Sequence, residues 1–423
     1  MKTTRRRFIK TVGAGALGAG LGPGLAPGEA PAVAEGRGYD VAVVGAGVFG
    51  SWIAHELQRS GRRVVLIDAY GPGNARSSSG GRTRVIRAGY GDREIYTRWS
   101  LRSLERWKEL FRRSGRPGFF QQAGVLWMAR ERDPLTVSTL ETLQKLGVEH
   151  ERLLRPELEA RWPQIDYGRS ANRPITWAIF EPGAGFLMAF HAVQAVARRA
   201  QRLGCEVLTA RVAPPAAAGG RLASLVTDRG EKVSAESYVF ACGPWLPKLF
   251  PDLLGDRIFT TRQEVFYLGP PPGEERFKVG AIPVWADFAE EIYGLPDFKG
   301  RGFKIAPDRH GPPVDPDSLE RVVTPETARR VLDYAGRRFP SLKGSPIVGS
   351  DVCQYTNTSN GDFLIDRHPE LDNVWLVGGG SGHGFKHGPA IGEYVAALVE
   401  GTRSVEARFS LATKQTVQNR AVF

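Results

Sequence analysis

Cys353 stands two residues before Tyr355 in Cys353-Gln354-Tyr355-Thr356-Asn357-Thr358, and Lys386 closes a later run, Gly378-Gly379-Gly380-Ser381-Gly382-His383-Gly384-Phe385-Lys386. One thiol, a length of main chain almost bare of side chains, and one cation are parts of a ligand site. The glycines let backbone approach a large molecule, and the lysine supplies a point charge. His383 and His387 have the four-residue spacing of metal ligands on one helical face. No His-Glu-x-x-His accompanies them, and His383 lies in a glycine turn, so no metal site is expected. The cysteines, Cys205, Cys242 and Cys353, are too few for a disulfide framework. Cys353 has the context of a loop, whereas Cys242 falls inside an apolar strand and reads as a small buried hydrophobe.

A ligand class is readable near the start of the chain. The apolar run Val41 to Val44 reads as a buried parallel strand and turns through Gly45-Ala46-Gly47-Val48-Phe49-Gly50 into a helix that stops at Gly61. Gly45 permits the tight turn, Gly47 lets backbone meet a pyrophosphate, and Gly50 lets helix and strand pack closely. The helix N-terminus adds N–H groups and a positive dipole end. A second strand, Val64 to Ile67, ends at Asp68, placed to accept from a ribose hydroxyl. Strand, turn, helix, strand and acid in register predict a bound dinucleotide, and this unit alone leaves NAD and FAD both open.

The remaining elements must bring these groups together. Trp99, Leu104, Trp107, Leu110 and Phe111 recur near helical spacing and read as core. Gly124-Val125-Leu126-Trp127-Met128-Ala129-Arg130 reads as a strand, residues 185–212 as helix then strand, and residues 235–245 as an apolar strand ending in glycine. This alternation is that of a doubly wound sheet. Residues 251–345 are irregular and proline-rich, with two strands about a loop near Tyr293 and Lys304, and a helix capped by Thr324 with Pro325 in its first turn. The strand Val374 to Val377 returns to the dinucleotide unit. The fold class is therefore α/β: a discontinuous Rossmann-like domain over 38–105, 177–250 and 345–402, and a substrate domain on an antiparallel sheet over 106–176 and 251–344. Such a discontinuous topology favours flavoproteins over soluble nicotinamide dehydrogenases.

The chain has 423 residues, 42% of them hydrophobic, ample for a large core. Residues 1–34 read as a twin-arginine signal, with Arg5-Arg6-Arg7-Phe8-Ile9-Lys10 before an Ala/Gly-rich stretch and a small-residue site at Ala32-Val33-Ala34. Export to the periplasm or outside the cell follows, with a mature chain from near Glu35 and no stable membrane insertion, because 11–34 is too weakly apolar. Of the net charge of +12, five charges belong to Lys2, Arg5, Arg6, Arg7 and Lys10. No aromatic-basic stripe or nucleic-acid fold signature appears, so a nucleic-acid partner is not expected.

Several motifs in order, Gly45 to Gly50, GRTRVIRAGYGDRE (81–94), IFEPGAGFL (179–187), IYGLPDFKGRGFK (292–304), the Cys353 run and GGGSGHGFK (378–386), resemble the D-amino-acid oxidase superfamily of flavoproteins. The resemblance is nearest to the group of monomeric sarcosine oxidase and N-methyltryptophan oxidase, and it covers nearly everything after residue 38. It implies FAD, joined covalently through Cys353, with Thr83, Arg84, Gly380 and His383 as further cofactor contacts. Arg87 and Lys386 match the residues that hold the substrate carboxylate, a fork and a point charge suited to a dry site. Lys304 matches the lysine that promotes reaction with molecular oxygen, and Tyr293 and Tyr355 match tyrosines of the substrate pocket. The chain departs from the group at Ser79, Gly80 and Asp308, where histidines are found. The implied activity is oxidation of secondary or N-alkylated amino acids by a monomer, to an imine and hydrogen peroxide. Two rivals are a dehydrogenase using another acceptor and a non-catalytic flavin-carrying subunit.

Overall fold

Val41 to Val44 are almost wholly removed from water because strands flank them on both edges, Val41 and Val43 join a core with Ile53, Leu57 and Ile391, and Ala42 and Val44 join one with Leu225, Val233, Leu246 and Leu254. In the computed structural model, which describes residues 38–168, 174–215, 220–287 and 289–418, Tyr39–Val44 is central to a six-stranded sheet. The order is Leu364–Arg367, Val374–Gly378, Ala235–Phe240, Tyr39–Val44, Val64–Asp68, Glu206–Thr209, parallel except at the first pair. The proposed signal, 1–34, lies outside the described residues. Among the described residues no helix is long and apolar enough to cross a membrane.

Helix Val48–Arg59 packs between Gly388–Val399 and Ala189–Arg202. Its approach to Gly388–Val399 is close because Gly392 has no side chain: a Cβ there would lie 2.8 Å from the Trp52 carbonyl oxygen. The helix expected at the tryptophans is Glu94–Arg113, with Trp107 and Phe111 fully buried.

The second sheet has eight strands, in the order Ile347–Asn357, Phe259–Leu268, Phe303–Pro307, Ile292–Leu295, Val284–Asp287, Val125–Ala129, Trp177–Glu181, Glu151–Leu154. It is antiparallel except where Val284–Asp287 meets Val125–Ala129. Helix Pro325–Arg338 covers it, its Thr324 cap accepting from the Thr327 N–H. Asp287, fully buried, pins that helix through Arg338 (2.9 Å) and takes Arg130 at 2.7 Å. A three-stranded antiparallel sheet, Arg84–Ile86, Gly185–Leu187 and Phe120–Gln121, carries Arg84.

These pairings correct the sequence reading in three places. Trp177–Glu181 and Ile347–Asn357 fall inside the spans assigned to the dinucleotide domain, yet both belong to the eight-stranded sheet, the first buried within it and the second, at its edge, only partly. Cys353 is consequently in a strand and not a loop. Cys242 lies just past the end of its strand, Ala235–Phe240, with its Sγ 3.3 Å from the Val44 carbonyl oxygen; burial holds the thiol well above its usual pKa.

Candidate active site

Two cavities share the wall residues Arg84, Tyr355, Gly382 and Phe385 and so adjoin. The larger, about 410 Å³, opens at the carboxyl ends of the parallel strands. Gly45 (φ +99°), Gly47, Asp68 and Gly380 line it. A Cβ on Gly45 would stand 2.4 Å from the Ala241 carbonyl oxygen, and one on Gly50 would stand 1.8 Å from the Gly45 carbonyl oxygen. Only glycine fits either place, and Gly50 serves packing and not the wall. Asp68 accepts from the Ala46 N–H (2.7 Å) and the Tyr70 N–H (2.8 Å), while its burial pushes the carboxyl above the usual range. A helix N-terminus, a bare main-chain turn and an acid at the second strand end fit a dinucleotide.

The smaller cavity, about 100 Å³, is lined by Arg87, Tyr293, Asp308, Cys353, His383 and Lys386, among others. Arg87 follows the short strand Arg84–Ile86, its guanidinium lying 4.2 Å from the Tyr90 ring centroid and 4.6 Å from that of Trp127. The turn after it is fixed by Glu181, which accepts from the N–H groups of Ala88 (2.7 Å) and Gly89 (3.0 Å) and from Trp127 Nε1 (2.7 Å). Lys386 donates from Nζ to the Tyr90 hydroxyl (2.8 Å) and the His383 carbonyl (2.9 Å), and its own carbonyl accepts from Trp107 Nε1 (3.0 Å). Burial, and next the Arg87 charge, hold its ammonium pKa well below the ordinary value. The same Tyr90 hydroxyl lies 2.7 Å from His387 Nε2, whose ring is held neutral by burial beside Lys386 and Arg87.

Arg84 donates to Ser78 O (2.7 Å) and Thr83 O (2.8 Å) and lies 3.2 Å from Cys353 Sγ. Lys304 sits behind the wall and is lined by neither cavity; its Nζ donates to Thr83 O at 3.3 Å. Burial, and then the Arg84 charge, lower its pKa to about 7. Tyr355 donates to Asp308 Oδ1 (3.0 Å), and burial pushes the Tyr293 phenol up to about 12.

The sequence-derived set is thus brought together around the two cavities, but Gly50, Thr83 and Lys304 line neither, and Cys353, expected at the cofactor, lines only the smaller one. His383, expected at the cofactor, lines the smaller cavity, where its Nε2 meets the Gly361 carbonyl (3.0 Å). Thr83 lines neither cavity and instead accepts from Lys304. Sequence reasoning gave no role to Tyr90 or Glu181, although both lie in motifs it singled out. Among the described residues no cluster of histidine, cysteine or carboxylate side chains could hold a metal.

The pattern of the family described as FAD dependent oxidoreductase matches residues 40–398. The chain belongs to that family. This oxidoreductase is 33% identical over 371 residues to a monomeric sarcosine oxidase of Streptomyces avermitilis, covering 85% of the chain and 93% of that relative. It is 27% identical over 378 residues to an N-methyl-L-tryptophan oxidase of Citrobacter koseri, covering 86% and 95%. Among solved structures, an L-proline dehydrogenase from P. horikoshii superposes with a TM-score of 0.76 at 25% identity, over 89% of this chain and 97% of that one. The mixed parallel and antiparallel sheets are those of FAD-dependent oxidases, and the residues lining the larger cavity fit FAD.

Proposed function

We propose that this oxidoreductase oxidises secondary or N-alkylated amino acids with molecular oxygen as the electron acceptor. The observation that carries the reading is the pair Arg87 and Lys386 on one wall of a small cavity adjoining the FAD cavity. A fork and a point charge, with Glu181 fixing the turn beside the fork, suit a carboxylate withdrawn from water. An incoming carboxylate raises the lowered pKa of Lys386, so the amine takes up a proton and becomes the cation that binds.

Bound FAD supplies the acceptor for a hydride equivalent from a carbon beside the amine nitrogen. The protein's own work is placement: Arg87 and Lys386 fix the carboxylate, while Tyr293 and Tyr355 bound the space left for the amine. The imine product hydrolyses in water, and the electrons reach oxygen as hydrogen peroxide. Lys304 supports the oxygen step, because a buried cation beside Arg84 stabilises negative charge developing on oxygen. Cys353, on the wall of the smaller cavity and beside an Arg84 that lines both, is the proposed covalent tether for FAD. The Arg5–Lys10 pattern supports twin-arginine export to the periplasm or beyond, and the protein is proposed to act as a monomer.

The test begins with anaerobic mixing of the flavin-loaded protein with N-methyl and cyclic amino acids. Bleaching of the flavin, then one peroxide per amine once air is admitted, is the expected result; no bleaching by any carboxylated amine would defeat the reading. Bleaching without stoichiometric peroxide would favour a dehydrogenase, the second reading that the likeness to L-proline dehydrogenase supports. Intact mass after denaturation, with Cys353→Ala as control, tests the tether.

A further inference from the structure

We propose that His383 and His387 act together as a clamp on the Tyr90 hydroxyl, and that the direction they give it sets how readily Lys386 takes up the proton it needs to hold a carboxylate. The inference rests on the carboxylate-binding reading of Arg87 and Lys386 and assigns two positioning residues to that same cation.

The pair of histidines four apart, which holds no metal site, converges instead on one oxygen. Tyr90 Oη lies 2.7 Å from His387 Nε2, 3.3 Å from His383 Nδ1 and 2.8 Å from Lys386 Nζ, and all four residues are buried. The direction of each bond follows from the far side of each ring. His383 Nε2 faces the Gly361 carbonyl at 3.0 Å. A carbonyl only accepts, so Nε2 carries the proton and, in the neutral ring, Nδ1 is left to accept from the Tyr90 hydroxyl. His387 Nδ1 has no hydrogen-bond partner among the described residues. Its ring lies among Trp99, Phe363 and Tyr96, whose own hydroxyl donates to Asp362 (2.7 Å). A buried donor without an acceptor is tolerated less than a lone pair without a donor, so the proton of this ring goes to Nε2, which donates to Tyr90. Burial, then the charges of Lys386 and Arg87, keep the ring neutral.

Tyr90 therefore donates to His383 and accepts from both His387 and Lys386. The two histidines act on Lys386 in opposite senses. By taking the hydroxyl proton, His383 turns a lone pair of Tyr90 toward Nζ and favours the ammonium. By donating to the same oxygen, His387 draws on the electron density that Nζ uses and favours the uncharged amine. With Tyr90 and the His383 carbonyl (2.9 Å) each accepting from Nζ, the third N–H of the ammonium is left for the ligand carboxylate.

The test measures proton uptake when (methylthio)acetate, a carboxylate without an amine, binds to the FAD-loaded protein, by calorimetry in buffers of different ionisation enthalpy. The quantity read is the alkaline pH at which uptake falls to half, which marks the pKa of Lys386 in the complex. Arg87, Asp308 and Glu181, whose charges also reach Lys386, stay in place. Tyr90→Phe should lower that pH by about one unit, as for loss of one hydrogen bond to a charged group. His383→Leu should lower it further, because the hydroxyl proton then turns toward Lys386, whereas His387→Leu should raise it. His383→Asn and His387→Gln put back an acceptor and a donor and should bring back the wild-type value. Both leucine shifts should vanish when Tyr90 is phenylalanine. A loosened site would move both leucine variants the same way, so shifts of one sign, or shifts that survive without the Tyr90 hydroxyl, would overturn the proposal. Nitrogen-15 spectra of histidine-labelled wild type give a check that needs no variant to fold: both rings should be neutral with the proton on Nε2, and a proton on Nδ1 of either defeats the clamp. Arg87→Met separates the two readings. If it leaves (methylthio)acetate binding untouched, the carboxylate reading falls and this inference with it; if binding needs Arg87 but wild type takes up no proton, this inference falls alone.

Discussion

The larger cavity is shaped by main chain and the smaller one by charge. Around Gly45, Gly47 and Gly380 the wall is backbone, and the demand on sequence is the absence of side chains. Around Arg87, Lys386 and Asp308 the wall is ionisable groups, with Lys304 buried nearby, and burial and neighbouring charge set the pKa values of both lysines. A cradle of the first kind tolerates no added atom but depends little on pH. A cavity of the second kind tolerates changes of volume yet answers to the loss or titration of a single charge.

The sharpest break of that contrast is Gly50→Ala. A Cβ 1.8 Å from the Gly45 carbonyl oxygen forces helix and strand apart, so thermal melts should register a loss of about 4 kcal/mol or more, together with failure to retain FAD. On the charged side, Arg87→Met should leave melting and FAD content nearly unchanged and lower the rate of anaerobic flavin reduction per unit of carboxylated amine by about 10³-fold, the cost of leaving a bound charge unpaired. Lys304→Met should spare that reductive step and slow reoxidation by air about 10²-fold, as measured by stopped flow. Glu181→Gln keeps the shape and one acceptor oxygen but sets its amide NH2 against the Ala88 N–H, or, if flipped, against the N–H groups of Gly89 and Trp127. Steady-state kinetics should find KM raised about tenfold with kcat less affected, through displacement of Arg87.

The mildest test is titration. Because Lys386 has a depressed pKa in the ligand-free protein and a carboxylate raises it, affinity for a simple carboxylate should weaken as pH climbs through the window between those two values. The slope should approach tenfold per pH unit, and it should vanish in Lys386→Met. Calorimetry at several pH values, with proton uptake read from buffers of different ionisation enthalpy, decides this.

The two regions also differ in how far they can be read from sequence. The turn Gly45 to Gly50 and Asp68 form a local unit, in which strand, turn and helix are dictated within one short stretch, and the structure places it as expected. Arg87, Lys386 and Cys353 became legible by resemblance of whole motifs, not by spacing. Glu181 was invisible as a functional residue because its meaning depends on Trp177–Glu181 pairing with Val125–Ala129, which brings Trp127 to it. Tyr90 likewise gains its place only when Lys386 and His387 arrive from almost three hundred residues away in sequence. The misassigned strand Ile347–Asn357 has the same origin: sequence neighbours tie it to the dinucleotide unit, whereas ten of its residues pair with Phe259–Leu268.

That long pairing sets an order of events during synthesis. Phe259–Leu268 must wait for the strand Ile347–Asn357 that carries Cys353 and Tyr355, and the central Rossmann sheet must wait for Val374–Gly378 to complete its parallel set. Both sheets thus depend on contacts of great sequence separation, which close slowly and late. A ribosome-bound chain lacking residues 347–423 would have much of its apolar surface assembled but no place for either the flavin or the amine. Ligand binding is therefore reserved for the finished polypeptide, and a truncated chain would be a burden on chaperones with no cofactor to steady it.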